Sequence, residues 1–220
     1  METLAEAKAK ILTEITTADP EVITSFLNRY DSQVRQFSDL MAQTMIGWHG
    51  FANMLEKHEK AVYVANIAYC AIMLHVQSMK LFLSGHIVAA GNLSRQVLEA
   101  IAMALLCSGK TLNVLDCFVA DKYSTKNAVR DVLRHSKVLG LHKEALETLG
   151  KAEDFYHIFS HFSKMTVSAA TSFSQDALYV GASFDDGKIK AYDAEVKNRL
   201  SLAKVFPNFV AVVLRNVGKW

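Results

Sequence analysis

Apolar residues recur along this chain at intervals of three and four, the period of helices that bury one face. Leu4, Ile11, Leu12 and Ile15 mark a first helix ending near Thr17. Asp19-Pro20-Glu21 is a start signal: a capping Asp, a Pro at the first helical position and an acid in the first turn. From there Val22, Phe26, Leu27, Tyr30, Val34, Phe37 and Met41 carry one apolar face onward. Gly47 and Gly50 bracket Trp48-His49 and predict a break. A third helix is expected over 57–84, with Gly85 as its end cap. The next run, 85–106, is nearly all apolar, with a single Arg95 and Glu99 in its middle. Ser108-Gly109-Lys110 closes it.

Residues 112–139 are more amphipathic, with Leu115, Phe118, Val119, Val129, Val132 and Leu133 expected on the inner face and Gly140 ending the segment. Two shorter helices, 142–149 and 152–165, are expected around Gly150. The character then changes. Residues 166–175 are rich in Ser, Thr and Ala and read as a loop. Short alternating runs at 178–184 and 188–192 flank Asp185-Asp186-Gly187, the signal of a β-hairpin. A last helix, 194–217, contains Pro207, which is expected to kink or interrupt it. The sequence therefore predicts an all-α, multi-helix bundle with a small β-hairpin at 178–192. It forms one domain, 1–220, in which N-terminal helices within 1–55 pack on a core of 57–217.

Composition narrows the class. Of 220 residues 51% are hydrophobic and 21% charged, far from a disordered composition. The net charge of +2 gives no electrostatic footprint for nucleic acid. Cys70, Cys107 and Cys117 are odd in number and sit in apolar contexts, so they read as free thiols in a reducing compartment. The segment 1–6 is mixed in charge and lacks a secretory pattern. Segments 61–84 and 85–106 tempt a membrane reading, but the polar residues inside each fit bundle helices better. The expected location is the cytoplasm.

Three groups of side chains are candidates for chemistry. Arg95 and Glu99, four apart, share a helix face inside an apolar run and are expected in a buried polar cluster with partners elsewhere. Such a cluster is either a pocket or a structural ion pair. His157 and His161, also four apart, can reach one metal ion from a single face, with Glu153 extending the stripe and His49 as a distant third ligand. That set resembles the three-histidine site of DinB-like helical bundles, which would take zinc or another divalent metal; partly exposed histidines without metal are the plainer reading. Arg130 and His135 have the Arg-x4-His spacing, with Lys122, Lys126, Arg134 and Lys137 around them as phosphate contacts or as a solvated face. Five residues are about 500° of helix rotation, so the two side chains leave the helix on different faces. No phosphate-binding loop, dinucleotide fingerprint, nucleophile elbow or zincin motif occurs.

The segment 83–99, with Gly85, small residues, then Leu93, Arg95 and Glu99, resembles a pattern in HEPN-like bacterial helical proteins. Two later pieces agree in order: Tyr156 to Ser160 resembles that family's Tyr-x-x-Leu-Ser, and 179–185 resembles its extended segment before the last helix. The similarity spans about 60–215. It implies a helical bundle whose polar core joins Arg95, Glu99, Tyr156 and Ser160. Lys164 stands where the family often has His, which weakens a ribonuclease assignment that needs that histidine. The resemblance also implies a homodimeric binding or interaction module, with a role in stress or defence. The rivals are an RNA-cleaving member using Arg130 and His135, with RNA or a nucleotide as partner, and a metal-dependent hydrolase or transferase using His49, His157 and His161.

Overall fold

The computed structural model describes residues 3–52, 59–159, 161–174, 177–178 and 181–220. Helix α1 (Leu4–Thr16) opens with a capping box between Thr3 and Glu6, whose mutual hydrogen bonds hold the Glu6 carboxyl below its usual pKa. Helix α2 (Pro20–Trp48) starts as its sequence dictates: the Asp19 carboxylate accepts from the amides of Glu21 and Val22. The helix kinks at Tyr30 and gives way at the Gly47–Gly50 step to a 3-10 turn, His49–Phe51.

Helices α3 (Glu59–Leu83) and α4 (Ile87–Ser108) form the central antiparallel pair. Gly85 makes the turn between them at φ +78°, a conformation that L side chains rarely adopt. On α4 the helix backbone at Gly91 lies so close to the Phe159 ring that a Cβ there would stand 2.3 Å from it. Every residue of 101–108 is buried, because α4 is wrapped by α3, by later helices and by the last helix of the chain.

The region 112–139 is not one amphipathic helix. It divides into α5 (Val114–Val119), α6 (Ala128–Arg134) and α7 (Ser136–Leu139), separated by turns at Asp121 and His135. The two helices expected around Gly150 are instead a single helix, α8 (Lys143–His157). Nothing lies within 4 Å of where a Gly150 side chain would sit, so the glycine costs helix propensity without ending the helix. Residues expected as loop include α9 (Lys164–Ala170), started by a capping box of Ser163 and Thr166.

The fold is all-α, as the periodicity predicts. The β-hairpin is not where it was expected. A two-residue antiparallel pair, β1 (Thr171–Ser172) and β2 (Ala177–Leu178), precedes the last helix. Asp185-Asp186-Gly187 is the start of that helix rather than a hairpin turn. The Asp185 carboxylate accepts from the amides of Gly187 and Phe173, and a 3-10 turn (Asp186–Lys188) leads into α10 (Ile189–Val217). Helix α10 runs unbroken past Pro207. Its end is tied down by Asn216, which donates to Ser108 Oγ and to the Leu139 carbonyl, and by Trp220, whose indole donates to the Ser108 carbonyl.

One continuous apolar core extends from Val22 on α2 to Val217 on α10. Helix α2 packs on α3 and α10, as expected of the N-terminal region. Helix α1 is held more loosely: none of its residues is buried, and its Glu14 carboxylate lies against Gly181. By length and composition, α3 and the segment 186–217 are apolar enough to cross a membrane. In this fold about half of each such window is packed inside the bundle.

Candidate functional site

The inner face of α10 is a row of apolar side chains at helical spacing: Tyr192, Val196, Ala203, Phe206, Val210 and Val213. Glu195 and Arg199 fall on that same face and are carried into the core with it, with side chains 3% and 0% exposed. Arg199 Nη1 donates to Glu195 Oε2 in a close contact and also reaches the Glu195 carbonyl at 3.4 Å. The guanidinium carbon lies 5.0 Å from the Phe82 ring centroid and 5.7 Å from that of Tyr156, so aromatic faces from α3 and α8 screen the charge.

His75 on α3 completes this centre. Its Nε2 is 3.1 Å from the Arg199 carbonyl, which can only accept, so Nε2 carries the proton. Its ring stacks on Phe206, centroids 5.1 Å apart and nearly parallel, and Phe37 packs on it at 4.9 Å. Burial, reinforced by the Arg199 charge, pushes the imidazole down to about 3, so it is neutral at ordinary pH. Burial raises the Glu195 carboxyl despite Arg199, and pushes the Tyr156 phenol up to about 12. Four buried atoms here have no hydrogen-bond partner among the described residues: Tyr156 OH, Glu195 Oε1, and Arg199 Nε and Nη2.

The expected polar core is therefore composed differently from its sequence reading. Tyr156 is in it, but Arg95 and Glu99 are not. They lie on the flank of α4, 31% and 29% exposed, and Arg95 Nε donates to Glu99 Oε1 at 3.3 Å. Each is thus the other's ion-pair partner. Around them a dimple of only 20 Å³ gathers Lys126, Glu153 and His157 over Leu98 and Val129. Lys164 is exposed at the first position of α9. Ser160 lies outside the described residues.

The other candidate sets are on the surface. His157 and His161 approach each other, ring centroids 5.6 Å apart, and both are exposed. His49 is exposed at the end of α2, edge-on to Trp48. Among the described residues no three His, Cys, Asp or Glu side chains come together as metal ligands, so the structure does not assemble the expected histidine set. Arg130 pairs with the neighbouring Asp131 at 3.7 Å, and His135 is exposed where α6 ends.

A feature absent from every sequence candidate lies on the outer face of α3. Val62, Tyr63, Tyr69 and Val76 are 37–47% exposed. Asn66, Cys70 and Gln77 are exposed among them, and Met73 is half-buried. All share one side of the helix.

Comparisons of the chain with protein-family models, with curated proteins and with solved structures find no match.

The residues that sequence reasoning missed are Glu195, Arg199 and His75. The signal was present. Glu195 and Arg199 continue the apolar row of α10, whereas Arg95 and Glu99 sit beside the buried row of α4 defined by Ala90, Ser94, Val97, Leu98 and Ile101.

Proposed function

We propose that the chain is a cytoplasmic, HEPN-like helical interaction module that works as a homodimer. The observation that carries this reading is the partly exposed apolar side of α3, on which Tyr69 also packs its ring against Trp48 at 5.0 Å between centroids. Large apolar side chains standing together on the surface mark an interaction face, and here they occur on a helix whose opposite side is core. The ends of the face favour a second copy of the chain as the partner. Glu59 and Lys80, both exposed on this side of α3, are equally far from the Tyr69–Cys70 step. Two α3 helices packed antiparallel about a two-fold axis at that step set each Glu59 against the other copy's Lys80. The resemblance over 60–215 and the all-helical architecture support the family part of the reading. The buried Glu195–Arg199 centre serves the fold, since its groups are too enclosed to meet a substrate.

The test is light scattering of the purified chain combined with cross-linking through Cys70. Packed helices stand about 8–10 Å apart, so thiols beside the axis are within reach of a short bis-maleimide. A dimer that cross-links through Cys70, and that Tyr69→Glu turns into a folded monomer, is the expected result. A monomer at every concentration sinks the homodimer. A dimer that ignores both Cys70 and Tyr69→Glu keeps the homodimer and removes α3 as its face.

A further inference from the structure

Between α4, α8 and α10 the bundle opens into a cleft of 420 Å³, within the range of about 300–1,000 Å³ typical of small-molecule sites. Its floor is Ile101 and Leu105 of α4. Its lower walls are Leu149 of α8 and Leu202, Phe206 and Phe209 of α10. All six are apolar and buried. The upper rim is different: Glu144 and Thr148 stand on the α8 side, and Ser201, Lys204 and Asn208 on the α10 side. The contrast follows from one helix period. On α10, positions 202, 206 and 209 point down toward α4, while 201, 204 and 208 lie a quarter-turn or more toward solvent.

We propose that this cleft binds a small neutral amphiphile, an aliphatic or aromatic body with an uncharged hydrogen-bonding head. The apolar walls offer water no side-chain donor or acceptor, so an apolar guest displaces only weakly held water there. The rim sets the head group. It holds one acid and one base, Glu144 and Lys204, and neither is in an ion pair among the described residues. With Glu144 and Lys204 balancing each other, the remaining polar contacts are the His142 ring, the hydroxyls of Thr148 and Ser201 and the amide of Asn208. The Ser201 hydroxyl and the Asn208 amide can donate to or accept from an alcohol or amide, and the Thr148 hydroxyl, whose proton goes to the Glu144 carbonyl, accepts. A full charge on the guest would meet one rim charge of its own sign.

A body filling the cleft rests on Phe206, the ring that stacks on His75. The site thus touches the buried centre through one aromatic contact, and occupancy is expected to raise the melting temperature of the whole domain.

The experiment is a fluorescence titration of the full chain with N-phenyl-1-naphthylamine, followed by displacement with decanol, decanoate and decylamine. Saturable one-site binding, displaced best by decanol, is the expected result. Ala145→Phe, which places a ring in the cleft, should weaken the probe at least about tenfold. Thr148→Trp, entering from the rim, is the second filling variant should the first fail to fold. Absence of saturable binding, or binding that neither folded filling variant weakens, overturns the site. Displacement by decanoate that exceeds decanol and disappears in Lys204→Gln overturns the neutral class and assigns an anionic amphiphile instead. This outcome is independent of the homodimer, which the filling variants leave untouched.

Discussion

Two Arg/Glu pairs at the same four-residue spacing sit on two long helices of this chain, and they differ in nearly everything that matters energetically. Arg95 and Glu99 pair on the flank of α4, each about a third exposed. Glu195 and Arg199 pair inside the bundle with almost no exposure. Spacing alone gave both pairs a shared helix face. What separates them is where that face points, and this depends on the apolar residues three and four positions away. A pair on the flank keeps much of its hydration and gains little from its partner. A pair in the core has lost its water, and each ion depends on the other and on whatever surrounds it. The lesson is that charge within an apolar run says less than charge in phase with the apolar row.

The largest expected effect comes from breaking the buried pair. Arg199→Ala leaves Glu195 without its cation in the core and should cost about 3–5 kcal/mol, read by denaturant unfolding. The double variant Glu195→Leu with Arg199→Met sharpens the point: replacing both ions by apolar groups should recover most of that loss or leave the protein more stable than the parent. A double variant as unstable as Arg199→Ala would show that packing on Phe82 and Tyr156, not charge, is what the site contributes.

Acid comes next, because the same centre holds His75. Its folded pKa of about 3 lies below the ordinary 6.5. As pH falls below 6.5 the unfolded chain takes up a proton that the folded chain refuses. Its contribution to stability therefore falls between pH 6.5 and about 3 and changes no further below that. Glu195, raised above its ordinary 4.5, works in the opposite sense as it protonates. The isolating measurement is the difference in unfolding free energy between the parent and His75→Phe at pH 7 and at pH 5. The parent should lose more on acidification than the variant. Equal losses would mean that His75 is not held neutral.

Smaller still is Tyr156→Phe. The buried hydroxyl makes no well-formed hydrogen bond and only a weak interaction with the Ser94 hydroxyl, so its removal should be neutral or stabilising by about 1 kcal/mol. A loss of that size instead would reveal an ordered water bonded to it. The smallest effect belongs to the flank. Arg95→Ala should cost only about 0.3–0.5 kcal/mol, the worth of a helical pair in partial contact with water.

Much of the scaffold was legible in the sequence because it follows from local rules. Asp19-Pro20 starts α2, Gly85 turns α3 into α4, and the apolar periods over 22–41 and 57–106 are continuous. What escaped has physical reasons too. Asp185-Asp186-Gly187 carries the chemistry of a hairpin turn and of a helix start alike, because in both an Asp side chain accepts from an amide two residues on. Only the continuation of apolar spacing from Tyr192 into α10 separates the two. Gly150 looked like punctuation, but a half-buried glycine with open space where its side chain would sit only weakens a helix. Of the candidate centre, Tyr156 was foreseen, while Arg199 was hidden in a helix with enough other charges to make one more look ordinary. The cleft beside α8 and the outer side of α3 depend on how helices lean against one another, which no single stretch of sequence records.

Helix α1 has a consequence for the chain's behaviour in solution. Leu4, Ile11, Leu12 and Ile15 are 52–87% exposed, and none of its residues is buried. A helix of 13 residues is marginal in water without tertiary support. In the monomer its amides should therefore exchange with deuterated solvent far faster than those of α4, and a protease acting near Thr17 should release it while leaving the remaining bundle folded. Any assembly that slows this exchange without slowing exchange in α10 identifies itself as one that covers α1.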